Sequence, residues 1–472
     1  MQPWYWRSLP LQHRTGSIVF AALFLDSQIA TLLESPYTEN SNQTKNSLTR
    51  YSICAGVPRI VDGQPQMWTP PIGEILPFLR RKLQHSGRTG PTSAEALPFA
   101  GGWLGWLGYD LAWEIEQLPS LKTDPLPFPV AYWYEPASFA VLDHWEQTLW
   151  LAASDPSELD LLQSQLEQKS REDREGFPNP QSPIPNPQSP IPNPHFFSSQ
   201  TDYEDAVRQA KKYIQAGDIF QANLSLRFEQ PTNARPWDIY QALQQINPSP
   251  FASYWQTPWG AVISCSPERL VQLWERGAQT RPIAGTRSRG TIPTLDEQLA
   301  RDLLANAKER AEHIMLVDLE RNDLGRVCQW GSVKVNELFT IERYSHVMHL
   351  VSNVIGTISP NYDTVDLIRA LFPGGTITGC PKVRCMEIIE ELEPLRRSLF
   401  YGSCGYLDWR GHLDLNILIR TLLYTQCDNK AVVYGQVGAG IVADSDPERE
   451  WHESLYKAQA LLAALNSFNI SG

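Results

Sequence analysis

The sequence contains no apolar run near the roughly 20 residues that a bilayer-spanning helix needs. The stretch Ser17–Leu25 is too short, and no signal-peptide pattern precedes it. Positive charge is also scarce. With 40 Lys and Arg against 52 Asp and Glu, the net charge is −12, which argues against nucleic acid as a partner. The seven cysteines, Cys54, Cys265, Cys328, Cys380, Cys385, Cys404 and Cys427, are odd in number and form no CxxC pair. They read as reduced core thiols of a cytoplasmic protein, without zinc. No Walker loop and no Rossmann fingerprint occurs. Asp444-Ser445-Asp446 begins like a calcium loop, but Arg449 stands where that loop needs glycine. No nucleophile elbow and no Gly-x-Cys-x-Gly setting is present, so the chain shows no glutaminase nucleophile of its own.

What is present is a globular composition, 42% apolar and 19% charged, on a chain of 472 residues that could form two domains. One segment is low in complexity. From Pro178 the heptapeptide Pro-Asn-Pro-Gln-Ser-Pro-Ile occurs twice, and Pro-Asn-Pro follows, ending at Pro194. Proline at this density removes backbone donors and favours an extended, solvated linker. The expected division is residues 1–170, a linker over 171–199, and a catalytic region over 200–468. The first region reads as strands with short helices, with Ser17–Leu25 and Ser138–Leu142 as strand candidates. In the second, helices are expected over Asp202–Ala216, stopping at Gly217, over Leu299–Val317, and over Glu448–Leu465. Gly260–Ser264, Leu413–Leu418 and Ala431–Tyr434 read as strands.

Two acidic pairs stand out. Glu309 and Glu312 lie three residues apart on an expected helix, hence on one face, and Glu450 and Glu453 repeat that spacing. Two helices presenting such pairs to one cavity would make an all-oxygen site for a hard cation such as Mg²⁺; two solvated helix faces are the plainer alternative. Glycines cluster at Gly285, at Gly374-Gly375, at Gly379 and at Gly438-Ala439-Gly440, where backbone amides can approach a ligand or a turn can tighten. A helix carrying the cationic Lys457 follows the last cluster. Arg420, at the end of a strand-like run, could clamp a carboxylate with two parallel hydrogen bonds.

Together these motifs resemble the chorismate-utilising enzymes: the component I subunits of anthranilate synthase and aminodeoxychorismate synthase, and the isochorismate and salicylate synthases. The resemblance runs through Leu32-Leu33-Glu34-Ser35, Gly108-Tyr109-Asp110, Phe220 to Ser225, Ser266-Pro267-Glu268, Pro282 to Gly290, Glu309 to Arg326, Tyr344 to His349, Thr376 to Pro394, Ile419-Arg420-Thr421 and Val437 to Lys457. It implies an α+β fold of two large, mostly antiparallel sheets packed as a sandwich and flanked by helices, with the N-terminal part interleaved with the C-terminal part. It also implies that Glu309, Glu312, Glu450 and Glu453 surround Mg²⁺, which holds a carboxylate of chorismate. Arg420, Lys457, Gly438 and Gly440 match the carboxylate-binding side. Gly285, Thr286 and His349 match residues lining the ring and the enolpyruvyl group. Glu268 matches the general acid that protonates the leaving hydroxyl.

Two positions bear on which member this is. Water-using relatives carry a lysine base where this chain has Gln221, and a neutral amide cannot deprotonate water. Many aminodeoxychorismate synthases carry a nucleophilic lysine where this chain has Ala284. Gly375 to Gly379, Arg396-Arg397 and Tyr401 to Tyr406 lean towards aminodeoxychorismate synthase, with ammonia from a partner glutamine amidotransferase. Anthranilate synthase component I is the alternative. A non-catalytic, tryptophan-sensing subunit is the second, because Ser35, Pro250 and Phe251 match a tryptophan pocket in relatives.

Overall fold

In the computed structural model the described residues are 4–35, 47–84, 96–176, 194–290, 292–343, 347–427 and 430–468. They build two large sheets. The first has twelve strands. It starts at an edge formed by Tyr5–Pro10 and passes through Thr148–Ala153, Ser138–Asp143, Tyr51–Ala55 and Ala30–Glu34. It continues through Phe251–Thr257, Gly260–Ser266, Thr421–Cys427, Lys430–Ile441 and Gln221–Thr232. The second sheet has ten strands and is centred on Arg269–Trp274, Leu413–Asn416, Ser403–Asp408 and Gly102–Leu107. Ile283–Ser288 and Lys334–Arg343 both pair antiparallel with Val347–Thr357 at one of its ends.

The two halves of the sequence share both sheets. Ala30–Glu34 pairs antiparallel with Phe251–Thr257, Glu34 facing Ala252. Gly102–Leu107 pairs antiparallel with Ser403–Asp408. The first sheet is buried on both faces, and its side chains alternate between two cores with period two. Ile53, Phe139, Val141, Trp255, Val262 and Leu423 point into the core between the sheets. Their neighbours Cys54, Ala140, Leu142, Tyr254, Ile263 and Leu422 join a second core under the helices. That helical layer includes Gln200–Ala216, Pro236–Ile246 and Pro447–Asn466.

The strand expected over Ser17–Leu25 is a helix, Gly16–Leu23. The Ile-Val-Phe run favours a strand, but the ends decide otherwise. The Thr15 hydroxyl accepts from the Ile18 amide at 3.3 Å, and the Glu34 carboxylate accepts from the Ser17 amide at 2.9 Å. A cap and an acid at the N-terminus outweigh β-propensity here. The helix expected over Leu299–Val317 is two helices, Pro293–Ala305 and Ala307–Gly325. Asn306 breaks the pattern, because its side chain accepts from the Glu309 amide at 3.1 Å and starts a new helix. The helix ending at Gly217 is as expected, with that residue left-handed at φ 83°.

The helix Pro156–Gly176 covers the start of the expected linker, and the strand His195–Phe196 covers part of its end. Most of the proline repeat, residues 177–193, lies outside the described residues. No described helix is long and apolar enough to cross a membrane.

Candidate active site

Each sheet hands the chain to the other at neighbouring points. Ser266 ends a strand of the first sheet, and Arg269 begins one of the second. Leu413–Asn416 belongs to the second sheet, and Thr421–Cys427 to the first. The two crossings are bonded together: the Ile417 amide donates to the Glu268 carbonyl at 3.0 Å, and the Ser266 hydroxyl donates to the Ile417 carbonyl at 2.6 Å. Glu268 and Arg420 therefore meet although more than a hundred residues separate them. Arg420 sits at φ 51°, a left-handed conformation that a long side chain seldom adopts. Its guanidinium donates to Asn247 Oδ1 at 3.2 Å.

Glu268 is 4% exposed. Burial pushes its carboxyl up to about 8; the charge of Glu320 adds to this, while the Thr376 hydroxyl, the Ile283 amide and Arg420 oppose it. At neutral pH it is a protonated acid. His349, fully buried on the strand Val347–Thr357, is pushed down to about 3 by burial and then by Arg420. It is a neutral imidazole that donates to the Gly285 carbonyl.

His349 lies opposite Thr286 in the pairing with Ile283–Ser288, and the register slips between Ala284 and Thr286. Gly285 forms this bulge at φ 66°. A Cβ there would come within 2.9 Å of Glu309 Oε2 and of Leu303 Cδ1, so glycine is what lets the acidic helix approach. Ala284 brings no nucleophile to the bulge.

The four carboxylates lie in the opening turns of two helices. Asn306 caps Ala307–Gly325 ahead of Glu309 and Glu312. Asp446 caps Pro447–Asn466 ahead of Glu450 and Glu453. The positive helix ends favour acids there. Burial raises Glu312, and the charges of Glu309, Glu453 and Glu450 raise it further against Lys308. Burial likewise raises Glu450, with Glu453 contributing. The quartet thus converges electrostatically. Cations stand among it: Glu309 is 3.1 Å from Arg287, Glu312 is 3.7 Å from Lys308 and Glu453 is 2.9 Å from Lys457. Among the described residues no three acidic, imidazole or thiol groups stand close enough to hold an ion between them.

Lys457 also donates to the Gly438 carbonyl at 2.9 Å. On the adjoining strand, Gln221 and Asn223 pack against the glycines of Lys430–Ile441. A Cβ on Gly440 would lie 2.4 Å from Gln221 Nε2, and one on Gly438 would lie 3.0 Å from Asn223 Oδ1. Gln221 Oε1 and Asn223 Oδ1 are buried with no hydrogen-bond donor among the described residues. Asn223 Nδ2 donates to the Thr376 carbonyl at 3.4 Å, which ties this wall to the neighbour of Glu268.

Ser35, Pro250 and Phe251 fall elsewhere. They line a cavity of about 110 Å³ that also meets Glu34, Arg269 and Asp414. Arg269 and Asp414 are paired there by two 2.8 Å hydrogen bonds. The sequence gives no reason of its own to place Asn223, Asn247 or Glu320 beside the acid, and Thr376 enters only as the first residue of a resembling run. The one local signal for Thr376 is that it follows Gly374-Gly375.

The family described as chorismate binding enzyme matches residues 34–463. An "Anthranilate synthase component I-like protein" of Synechocystis is 60% identical over 471 residues, covering 98% of this chain and 92% of the relative. "Aminodeoxychorismate synthase component 1" of Bacillus subtilis is 47% identical over 384 residues, 79% of each chain. Among solved structures, anthranilate synthase component I from Streptococcus pneumoniae superposes with a TM-score of 0.70 at 31% identity, covering 90% of this chain and 95% of the other. With the match extending over residues 34–463, every candidate site residue and most strands of both sheets included, the chain belongs to the chorismate-binding enzymes.

Proposed function

We propose that the protein aminates chorismate, ammonia replacing the C4 hydroxyl to give 4-amino-4-deoxychorismate, the precursor of 4-aminobenzoate and folate. The observation that carries the amination is the pair of buried, donorless amide oxygens of Gln221 and Asn223 beside the acid's neighbour Thr376. Ammonia offers several N–H donors and needs acceptors to hold it, whereas water would need a base to become a nucleophile. No base stands at Gln221, and burial and then Arg420 push His349 down to about 3, which leaves its imidazole too weak a base to activate water. The resemblance to the Bacillus aminodeoxychorismate synthase supports the C4 product.

The proposed step balances as follows. The ammonia lone pair forms the C–N bond as the C4–O bond breaks. Glu268 gives its proton to the departing hydroxyl, which leaves as water. The new ammonium then returns a proton to Glu268, which resets the acid. Arg420 and Lys457 pair with the carboxylates of the dianionic substrate, and Ala284 leaves the attack direct.

Glu309, Glu312, Glu450 and Glu453 form an oxygen-only donor set that suits Mg²⁺. Coordination requires Glu453 to leave Lys457 and Glu309 to leave Arg287. When bound, the ion supplies positive charge for a substrate carboxylate. The ammonia is proposed to come from a separate glutamine amidotransferase, because this chain shows no glutaminase motif.

Anthranilate synthase is the second reading. The cavity at Ser35, Pro250 and Phe251, with Arg269 and Asp414 in its wall, favours it as a pocket for an aromatic amino acid. The test is the product made by the purified chain from chorismate, Mg²⁺ and ammonium. The expected product keeps its enolpyruvyl ether and yields 4-aminobenzoate only with an added lyase. Fluorescent anthranilate with one pyruvate per turnover would assign the second reading. Turnover with glutamine alone would overturn the need for a partner.

A further inference from the structure

We propose that Glu320 is a positioning residue for the acid Glu268, pinning the turn that carries Thr376 and setting negative charge behind the acid. This rests on the reading of Glu268 as the acid. Glu320 lies on the helix Ala307–Gly325, two turns beyond Glu312, and is 5% exposed. Its carboxyl faces the Thr280 hydroxyl and the Gly375 amide. The helix lies tight on that turn. A Cβ on Gly375 would stand 3.5 Å from Glu320 Oε1 and only 2.3 Å from Leu319 Cδ2. The next residue is Thr376, whose hydroxyl faces Glu268 and whose carbonyl accepts from Asn223 at 3.4 Å. A shift of Glu320 therefore moves the hydroxyl beside the acid and the wall that holds the donorless amides.

The charge arrangement points the same way. Asp323, nearly one turn along the same helix, accepts from Lys382 Nζ at 2.6 Å, and Lys382 also donates to the Leu371 carbonyl at 2.8 Å. One buried ammonium thus serves two buried carboxyls, with Arg326 more distantly acting on Asp323. Burial and then Asp323 push Glu320 up to about 7 against Lys382, so it carries its charge over the range in which Glu268, raised by it and opposed by Arg420, titrates. Glu320 belongs neither to the quartet nor to the amide pair of Gln221 and Asn223. It acts through the turn and through its field.

The test is the pH profile of kcat/KM for ammonium-dependent turnover, corrected for free ammonia. Turnover requires protonated Glu268, so the wild-type rate falls as pH rises through the pKa of that acid. Glu320→Gln keeps the shape and removes the charge. It is expected to move this basic limb to lower pH by about one unit, the effect of a neighbouring like charge. It should lower kcat while KM for chorismate holds. Thr280→Val removes a donor that stabilises ionised Glu320, and is expected to move the limb the same way by less. A Glu320→Gln enzyme whose limb stays in place, whatever its rate, overturns the proposal. If that variant does not fold, an unshifted Thr280→Val profile overturns it instead. Glu268→Gln with retained turnover would overturn the acid assignment itself. An inactive Glu268→Gln beside an unshifted Glu320→Gln overturns only the role of Glu320.

Discussion

The two sides of the candidate site handle charge in opposite ways. Around Glu268 the protein excludes water, and the Thr376 hydroxyl, the Ile283 amide and Arg420 offset that burial only in part, so the carboxyl stays protonated up to about pH 8. Across the pocket, the quartet keeps its carboxylates at helix starts and interleaves them with Arg287, Lys308 and Lys457. The first side stores a proton, and the second stores negative charge in exchangeable pairs. Four clustered acids would repel one another strongly if left unpaired, and the lysines and arginine relieve that repulsion in the absence of a metal. The same residue type thus does two jobs, and burial decides which.

The comparison breaks most sharply at Glu268. Glu268→Gln removes the proton donor and is expected to lower kcat by about 10²–10⁴-fold. The same change should stabilise the fold. Because the folded pKa lies above the ordinary 4.5, the folded chain holds a proton that the unfolded chain releases, and stability drains away as pH rises from about 4.5 to about 8. Glutamine escapes this cost, so denaturant melts at pH 7 should show a gain on the order of 3 kcal/mol, shrinking towards pH 5. A variant that is inactive and also less stable at pH 7 would show that the carboxyl is not held protonated by burial.

On the other side, Glu453→Gln removes one exchangeable charge of the proposed ion site. Turnover is expected to fall by about 10–100-fold at limiting Mg²⁺ and to recover in part at high Mg²⁺, with an unchanged melting temperature. Equal activity at limiting Mg²⁺ would separate the quartet from the chemistry. The smallest effect is expected far from both sides. Replacing residues 177–193 by a short flexible segment should leave kcat and KM within about twofold, because loop length costs little in stability. Loss of folding or of amidotransferase binding in that variant would give the proline repeat a role.

For the quartet only the two three-residue spacings were legible locally, and they left solvated helix faces open; the grouping into one ion site came from the resemblance. Glu268 was legible only through resemblance, since Ser-Pro-Glu has no chemistry until two strands cross beside Arg420. Glu320 and Thr376 could not be found by spacing, because their roles come from a helix lying against a glycine turn that is distant in sequence. The sandwich itself followed from resemblance, and its interleaving appears in Glu34 opposite Ala252. Ser17–Leu25 and Leu299–Val317 were misread because propensity and pattern were weighed above the caps, Thr15 in one case and Asn306 in the other.

The paired crossings between the sheets have a mechanical consequence. Glu268 and Arg420 ride on two neighbouring backbone segments that pass from one sheet to the other, held together by the Ile417–Glu268 and Ser266–Ile417 hydrogen bonds. Packed cores do not deform continuously, so a relative displacement of the layers would be a slide of stiff plates. Any such shear is delivered to these joints as a change in the spacing between acid and guanidinium. The cavity at Phe251, Arg269 and Asp414 straddles the same joint, with Arg269 the residue after Glu268. A wedge driven between the plates there works on the acid as a lever works on its fulcrum.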